Sequence, residues 1–421
     1  KKKAAPAKKK TAAKKTSARK KPAAKKKASK KKAAPAAKKK AASKKTAKKP
    51  AEKKSALAKT SVKPAPSKPS REKPKALVTG ACGFAGGHMV DMLVEKGFDV
   101  IATDLENAPR EFLNPKCNFM PADITNPETL IPLFRDPPDY VYHPAAIFDY
   151  EAPWELCEKV NVFGMRNLCE ISRKKGVKRF VLFSTVSVYG YPEPDELPVK
   201  EDNPKRPGTN YERSKLMQEE VGLEYNEKGL PVTIVRPAPV YGPRNVYGMA
   251  TILFLMAKFP ILPFPVNIDN YIVGVHVKDV CNAAHFLTYK EEAIGEAFNV
   301  IDNTRYTLRE FAEFVCPLMG VRILPIFLPR ELFFSLGNHM ADVSRSVSKV
   351  AGTRPFIEKD MVYYLKAVYT FSNEKLRSLG YEFLYPDLLE GLRETIEWYK
   401  DNGYLDRFDL WKKALFSKTR G

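Results

Sequence analysis

Short apolar runs alternate with longer amphipathic stretches from about residue 75 onward. The runs are only a few residues long and are rich in Val, Ile, Leu, Phe and Tyr, which is typical of strands buried on both faces. The stretches between them carry apolar residues at helical spacing. We therefore predict strands at 76–79, 99–103, 118–120, 140–142, 179–185 and 232–235, and helices that end near Lys96, span 153–175 and begin near Tyr211.

Strands that alternate with helices in this way form parallel sheets, because each helix carries the chain back across one face of the sheet. The predicted fold class is α/β, with a Rossmann-like doubly wound parallel sheet and a smaller C-terminal lobe. We place a dinucleotide-binding domain at 75–236, with segments near 266–300 returning to it. The substrate-binding lobe is expected mainly at 237–421.

The N-terminal segment has a very different composition. Residues 1–75 contain 30 lysines and two arginines against two acidic residues, a net charge of +30, so the rest of the chain carries −6 of the total of +24. A segment dominated by Lys, Ala and Pro cannot bury enough apolar surface to offset the entropy of folding, so we predict a disordered polycationic tail over 1–74. The net positive charge of the chain therefore comes from the tail.

This tail resembles the Lys/Ala/Pro tails of linker histones and bacterial histone-like proteins. Its charge is expected to bind nucleic acid or another polyanion without sequence preference. The alternatives are a solubilising extension and a transit peptide, although a transit peptide is usually rich in Arg rather than Lys. If the first reading is right, the protein associates with a nucleoid or with chromatin.

The cysteines and histidines indicate neither disulfides nor a metal centre. The six cysteines contain no Cys-x-x-Cys pair, and the five histidines are scattered, so we predict no metal site and a reduced, cytoplasmic setting. No apolar stretch reaches the roughly 20 residues that cross a bilayer, and no transmembrane segment is expected.

A glycine turn follows the first predicted strand and precedes a helical pattern. Glycines at such a turn let the backbone approach a pyrophosphate at the helix N-terminus. Asp104 ends the second strand, where a carboxylate can accept both ribose hydroxyls and repel a 2′-phosphate, which favours NAD over NADP. The residues expected at the pyrophosphate are Gly80, Gly83, Phe84, Ala85 and Gly86.

Two further strand ends carry side chains suited to a cofactor site. Pro144, Ala145 and Ala146 follow the fourth strand, and small residues there leave room for the cofactor. The hydroxyl residues Ser184 and Thr185 end the fifth strand.

A tyrosine and a lysine four residues apart, Tyr211 and Lys215, share one face of a predicted helix. A phenol with a pKa near 10 is a poor base at neutral pH, but a nearby ammonium group and an oxidised nicotinamide ring favour the phenolate. We therefore predict that this pair is the acid/base centre of an enzyme.

Taken in order, several motifs between about 75 and 402 resemble the extended short-chain dehydrogenase/reductase superfamily, which includes the NAD-dependent epimerase/dehydratase family. They are Thr79-Gly80-x-x-Gly83-Phe84-x-Gly86, Asp123-Ile124, Ser184-Thr185-x-x-Val188-Tyr189-Gly190, Tyr211-x-x-Ser-Lys215, Arg236-Pro237 and Val240-Tyr241-Gly242-Pro243. The resemblance implies cofactor contacts at Asp123, Ile124, Ser184, Pro237 and Val240, in addition to those above. It also implies a homodimer through the helices near 153–175 and 211–226.

The resemblance also implies a role for each catalytic residue. Thr185 would donate a hydrogen bond to the substrate oxygen, and Tyr211 would exchange the proton. Lys215 would hold the nicotinamide ribose and tune Tyr211. Hydride transfer itself belongs to the cofactor.

Departures from the superfamily pattern reduce the number of reactions expected of this chain. Nucleotide-sugar dehydratases and decarboxylases carry acids just after the catalytic threonine, where this chain has Val186 and Ser187, so both reactions are disfavoured. Many nucleotide-sugar enzymes carry a diphosphate-binding arginine where this chain has Ile272. Arg244 is the alternative candidate for that contact.

The C-terminal lobe is rich in apolar residues, as in 259–264 and 323–328. A packed lobe is one interpretation, and a pocket for a hydrophobic substrate, as in the 3-beta-hydroxysteroid dehydrogenase-like branch, is the other. We predict an NAD-dependent oxidoreductase that interconverts a secondary alcohol and a ketone on a sterol- or lipid-like small molecule. The alternatives are a nucleotide-sugar epimerase and a non-catalytic NAD-sensing protein associated with nucleic acid.

Overall fold

The computed structural model describes residues 72–405, apart from 266, 269, 352–354, 356, 358–361, 363–364 and 367–369. The predicted tail lies outside the described residues except for its last three, so its disorder and its binding stay predictions. The proposed domain boundaries also stay predictions.

The strands build the sheet that carries the site. In chain order they are β1 (Lys75–Thr79), β2 (Asp99–Thr103), β3 (Asn118–Phe119), β4 (Tyr140–His143), β5 (Arg179–Phe183), β6 (Val232–Pro237), β7 (Val240–Tyr241), β8 (Ile261–Pro265), β9 (Tyr271–Ile272), β10 (Val275–His276), β11 (Ala297–Val300), β12 (Tyr306–Thr307) and β13 (Arg322–Ile326). Seven of them form one parallel sheet in the order β11-β6-β5-β4-β1-β2-β3. The predicted fold class is confirmed.

The helices connect these strands. They are α1 (Phe84–Glu95), α2 (Pro127–Leu130), α3 (Trp154–Cys157), α4 (Gly164–Lys174), α5 (Asn210–Glu227), α6 (Met249–Ala257), α7 (Val277–Thr288), α8 (Leu308–Leu318), α9 (Arg330–Ala351), α10 (Glu374–Ser378) and α11 (Leu388–Asp401). A π-helical segment, Glu158–Phe163, joins α3 to α4, so the helix predicted at 153–175 is continuous but not uniformly α-helical.

Helices cover both faces of the sheet, as a doubly wound fold requires. Helices α1 and α7 pack together on one face, and α4 and α5 pack together on the other. Successive residues of β1 alternate between the two cores: Val78 packs with Met89 on the α1 side, whereas Leu77 packs with Met165 on the α4 side. Because both faces are buried, the strands read as continuous apolar runs in the sequence.

A third core lies in the C-terminal lobe. Helices α6, α8 and α11 enclose a cluster that includes Phe311, Leu392 and Tyr399. Short strand pairs, β8 with β13 and β9 with β12, edge this cluster. None of the described helices is long and apolar enough to cross a membrane.

Candidate active site

A cavity of about 1640 Å³ runs along the carboxyl ends of the sheet strands and continues between the sheet and the C-terminal lobe. Parallel strands present their carboxyl ends at one edge of a sheet, which is where ligands bind in folds of this class. Every residue that the sequence predicts for the site lines this single cavity: Gly80, Gly83, Phe84, Ala85, Gly86, Asp104, Asp123, Ile124, Pro144, Ala145, Ala146, Ser184, Thr185, Tyr211, Lys215, Pro237 and Val240.

The glycine turn leaves the N-terminus of α1 open to this cavity. Gly80 adopts a positive φ of 61°, and the Gly83 amide donates to the Gly80 carbonyl oxygen at 3.0 Å. A Cβ atom on Gly86 would lie 1.9 Å from that same oxygen, so only glycine fits there. Gly83 is the N-cap of α1, and the first amides of the helix therefore face the cavity, as an anion site requires.

Asp104 lies at the end of β2, beside the glycine turn. Its carboxylate accepts hydrogen bonds from the Cys82 amide at 3.0 Å and from the Leu105 amide at 2.8 Å. A carboxylate has about four acceptor sites, so it keeps acceptor capacity for a diol. Nearby, Asp123 accepts from the Thr125 amide at 2.8 Å, which fixes the turn after β3.

Tyr211 is held at the start of α5 by a capping box. Thr209 accepts from the Glu212 amide, and the Glu212 carboxylate accepts from the Thr209 amide. These reciprocal bonds fix the first turn of the helix and therefore the position of the Tyr211 phenol. Thr185 approaches from the end of β5, and its side chain acts to lower the pKa of that phenol.

The protein's own groups raise the pKa of Tyr211 well above its usual value of 10. Burial is the largest cause, followed by the Tyr150 and Glu212 charges, and the Thr185 side chain only partly opposes them. The shift toward the phenolate that the sequence predicts depends on an oxidised nicotinamide ring as well as on the ammonium group, so it stays a prediction for the protein with its cofactor. Among the protein's own groups burial dominates, because removing a phenolate from water costs free energy.

Lys215 is 2% exposed and lies deeper in the cavity wall. Its Nζ donates to the Phe183 carbonyl oxygen at 2.6 Å and to Gln218 Oε1. Burial lowers the pKa of Lys215 to about 7, and the Glu219 carboxylate acts in the other direction. The ammonium and neutral forms are therefore both accessible near neutral pH.

Ser184 lines the cavity, but its hydroxyl is engaged inside the protein. It donates to Glu219 Oε1 at 2.5 Å, and Glu219 in turn binds Arg236 through two bonds of 2.9 and 2.7 Å. Sequence reasoning missed Glu219, although it lies on the Tyr211–Lys215 face of α5, eight and four residues after those two side chains. Of the two hydroxyls at the end of β5, that of Thr185 is the one that lowers the pKa of the phenol.

Two aromatic residues that the sequence did not single out enclose Tyr211. The rings of Phe148 and Tyr150 both meet the Tyr211 ring edge-on, each with 5.2 Å between ring centroids. They lie in the irregular segment after β4, which has no periodicity that could have identified them. The Tyr150 hydroxyl lies 3.4 Å from Ser187 Oγ, to which Thr185 donates at 3.1 Å.

The part of the cavity beyond Tyr211 is mostly apolar. Among the described lining residues, none is arginine, and the lysines are Lys159, Lys215 and Lys258. Arg244 is not among them, and its guanidinium binds Asp91 on α1 at 2.7 Å. The structure therefore does not support the contact between Arg244 and a diphosphate, which stays a prediction. The apolar lining includes Met249, Ile252, Phe254, Ile272, Met340, Val343 and Val347.

No group of three or more His, Cys, Asp or Glu side chains in the described part of the chain is arranged to hold a metal ion. The polar groups of the cavity are instead hydroxyls, amides, carboxylates, lysines and the imidazole of His339. Such groups suit a nucleotide and a proton-transfer reaction.

Comparisons with known proteins agree with this geometry. A family model for the NAD dependent epimerase/dehydratase family matches residues 76–300. The UDP-glucose 4-epimerase of Streptococcus mutans is 36% identical over 169 residues, which are 38% of this chain and 49% of that protein, so the match spans about half of that relative. The sterol-4-alpha-carboxylate 3-dehydrogenase, decarboxylating, of Mus musculus is 26% identical over 317 residues, 73% of this chain and 86% of that enzyme.

A solved structure shares the fold over nearly its whole length. The UDP-glucose 4-epimerase of Thermotoga maritima, solved with UDP-glucose, superposes with a TM-score of 0.62 at 26% identity and covers 78% of this chain and 99% of its own. The relatives thus include proteins named for sugar-nucleotide epimerisation and for sterol dehydrogenation.

Proposed function

Because the chain belongs to the NAD dependent epimerase/dehydratase family, we propose that it is a dehydrogenase/reductase that interconverts a secondary alcohol and a ketone on a sterol- or lipid-like substrate. It is an NAD-dependent enzyme of the extended short-chain dehydrogenase/reductase type. The apolar substrate is the part that we infer, and the lining of the cavity carries that inference. The part of the cavity beyond Tyr211 lies away from the glycine turn and has no arginine among its described lining residues, so it is poorly suited to the diphosphate of a substrate and well suited to hydrocarbon.

In this proposal, Thr185 and Tyr211 hold the substrate oxygen from two sides. During oxidation the Tyr211 oxygen, as the phenolate, would take the proton of the alcohol O–H, while the hydrogen on the carbinol carbon would leave as hydride. The cofactor would supply the hydride acceptor and a positive ring that lowers the pKa of the phenol enough to release its proton beforehand. Lys215 would orient the ribose, and the glycine turn and Asp104 would hold the pyrophosphate and the other ribose.

A nucleotide-sugar epimerase is the second candidate. The same three catalytic side chains would oxidise a sugar carbon and then reduce it from the opposite face, with no net change in the cofactor. The relatives from Streptococcus mutans and Thermotoga maritima, both named UDP-glucose 4-epimerase, favour it. The lack of arginine among the described lining residues and the buried Ile272 argue against it.

A screen of steroids, alkyl ketones and nucleotide sugars, followed by NADH absorbance and by product analysis for epimers, separates the two. We expect NADH to change with an apolar substrate. Tyr211→Phe should lower turnover by about 10²–10⁴-fold while NADH still binds. Tyr289→Phe, at an exposed tyrosine away from the cavity, is the matched control. Wild-type turnover by the Tyr211 variant would disprove the acid/base assignment, and epimers without net NADH would favour the second candidate.

We also propose that the tail binds polyanions, on the strength of its charge of +30. DNA retention by the whole chain should fall steeply as salt rises, and a chain that begins at residue 76 should lose most of it. Equal retention by both chains at every salt concentration would show that the tail plays no part.

A further inference from the structure

A line of buried hydrogen bonds leads from Lys215 through the protein interior to the residue before the glycine turn. The Lys215 ammonium donates to Gln218 Oε1, and Gln218 Nε2 lies 3.0 Å from His143 Nε2. His143 Nδ1 lies 2.7 Å from Thr79 Oγ1, at the residue just before the glycine turn. The side chains of Gln218, His143 and Thr79 are fully buried. We call these three residues the lysine support.

The chemistry of each group fixes the direction of every bond in the lysine support. An ammonium group only donates, so the amide must turn its oxygen toward Lys215 and its NH₂ toward His143. The NH₂ also only donates, so His143 Nε2 must accept, and the ring proton lies on Nδ1 and is donated to Thr79. Burial lowers the pKa of His143 to about 3, which keeps the imidazole neutral as this arrangement requires.

We propose that Gln218 and His143 are positioning residues that hold Lys215 as an ammonium aimed into the cofactor site and couple it to the glycine turn. The proposal rests on the function proposed above, in which Lys215 orients the nicotinamide ribose. His143 acts indirectly, because the tautomer with its proton on Nδ1 leaves Nε2 as an acceptor for the Gln218 NH₂ and so favours the amide orientation that turns its oxygen toward the ammonium.

The other groups near Lys215 do not replace this support. Glu219, the nearest carboxylate, is paired with Arg236 and accepts the Ser184 hydroxyl. Tyr211, on the same helix, is a protonated phenol at neutral pH. The Phe183 carbonyl and the Gln218 amide are therefore the acceptors that offset the burial of the ammonium. Removing either acceptor should favour the neutral amine.

The test follows NADH binding by fluorescence across a pH series and needs no substrate. In the wild type, affinity should fall about tenfold as Lys215 loses its proton, since a hydrogen bond from a charged group is worth about that factor. Gln218→Glu, which keeps the size and places a carboxylate beside Lys215, should move this transition up by about one pH unit. Gln218→Met should move it down by about as much.

A His143 variant tests the indirect role of His143, which acts on Lys215 through the orientation of the Gln218 amide. His143→Leu should shift the transition down, because the amide is then free to turn. The same substitution in the Gln218→Glu background should have little effect, because the two oxygens of a carboxylate are equivalent. A purely structural role would instead lower affinity in every variant without moving the transition.

The Lys215→Met variant distinguishes a failure of the lysine support from a failure of the proposed function. Suppose that Lys215→Met abolishes the pH transition, but that the two Gln218 variants leave the transition where it is or both shift it in the same direction. The lysine support is then refuted and the proposed function stands. If the transition persists in Lys215→Met, Lys215 does not govern cofactor binding, and its role in the proposed function fails as well. Gln218→Glu is isosteric, so it keeps the test decisive if an apolar variant does not fold.

Discussion

Lys215→Met should change how the stability of the fold depends on pH. Burial lowers the pKa of Lys215 from 10.5 to about 7. Between these values the native protein has released the proton while the unfolded chain still binds it, so wild-type stability rises with pH in this window. Below about pH 7 both states are protonated, the rise is absent, and the full cost of burying the charge is present.

The magnitude follows from the linkage relation. Each pH unit within the window adds about 1.4 kcal/mol to the free energy of unfolding of the wild type relative to the variant. Two units inside the window therefore add about 3 kcal/mol. The variant also leaves the Phe183 carbonyl and the Gln218 amide without their partner, but this penalty is nearly independent of pH. The quantity to measure is therefore the slope, against pH, of the difference in free energy of unfolding between wild type and variant, rather than the size of that difference at one pH.

Urea unfolding of both proteins in matched buffers across a pH series supplies that slope, with stability taken from linear extrapolation. Taking the difference cancels every other titrating group that the two proteins share. Curves that run parallel from neutral to alkaline pH would show that Lys215 keeps an ordinary pKa, and the burial argument for it would be wrong.

Three further predictions concern the same cavity. Asp104→Asn should weaken NADH binding by about tenfold and reduce the preference for NADH over NADPH, as measured by fluorescence titration; wild-type preference for NADPH would contradict the assignment. Glu219→Gln should cost about 3–5 kcal/mol in urea unfolding because it leaves Arg236 buried without a charge partner, whereas Glu220→Gln, on the exposed side of the same helix, should cost little. Gly86→Ala should abolish NADH binding through the clash with the Gly80 carbonyl, whereas Gly87→Ala meets only ordinary contacts, and equal binding by both variants would refute this account.

The lysine support shows what long-range contacts add. Gln218 and His143 are 75 residues apart in the chain, and no local pattern relates a glutamine on a helix to a histidine at a strand end. The same holds for Arg244, which the structure places against Asp91 rather than in the cavity. The burial that raises the pKa of Tyr211 is also a tertiary effect, since it depends on residues such as Phe148 and Tyr150 that lack any periodic pattern.

The sequence alone determined the features that depend on local spacing. Apolar runs of strand length, the glycine turn, the carboxylate of Asp104 and the helical spacing of Tyr211 and Lys215 each follow from a few neighbouring residues, because backbone geometry has short periods. The order of the strands, the addition of β11 beside β6 and the partners of each buried polar group were decided only by the tertiary structure. The physical reason is that a buried donor or acceptor must find a partner wherever the fold places one, and that partner is often remote in sequence.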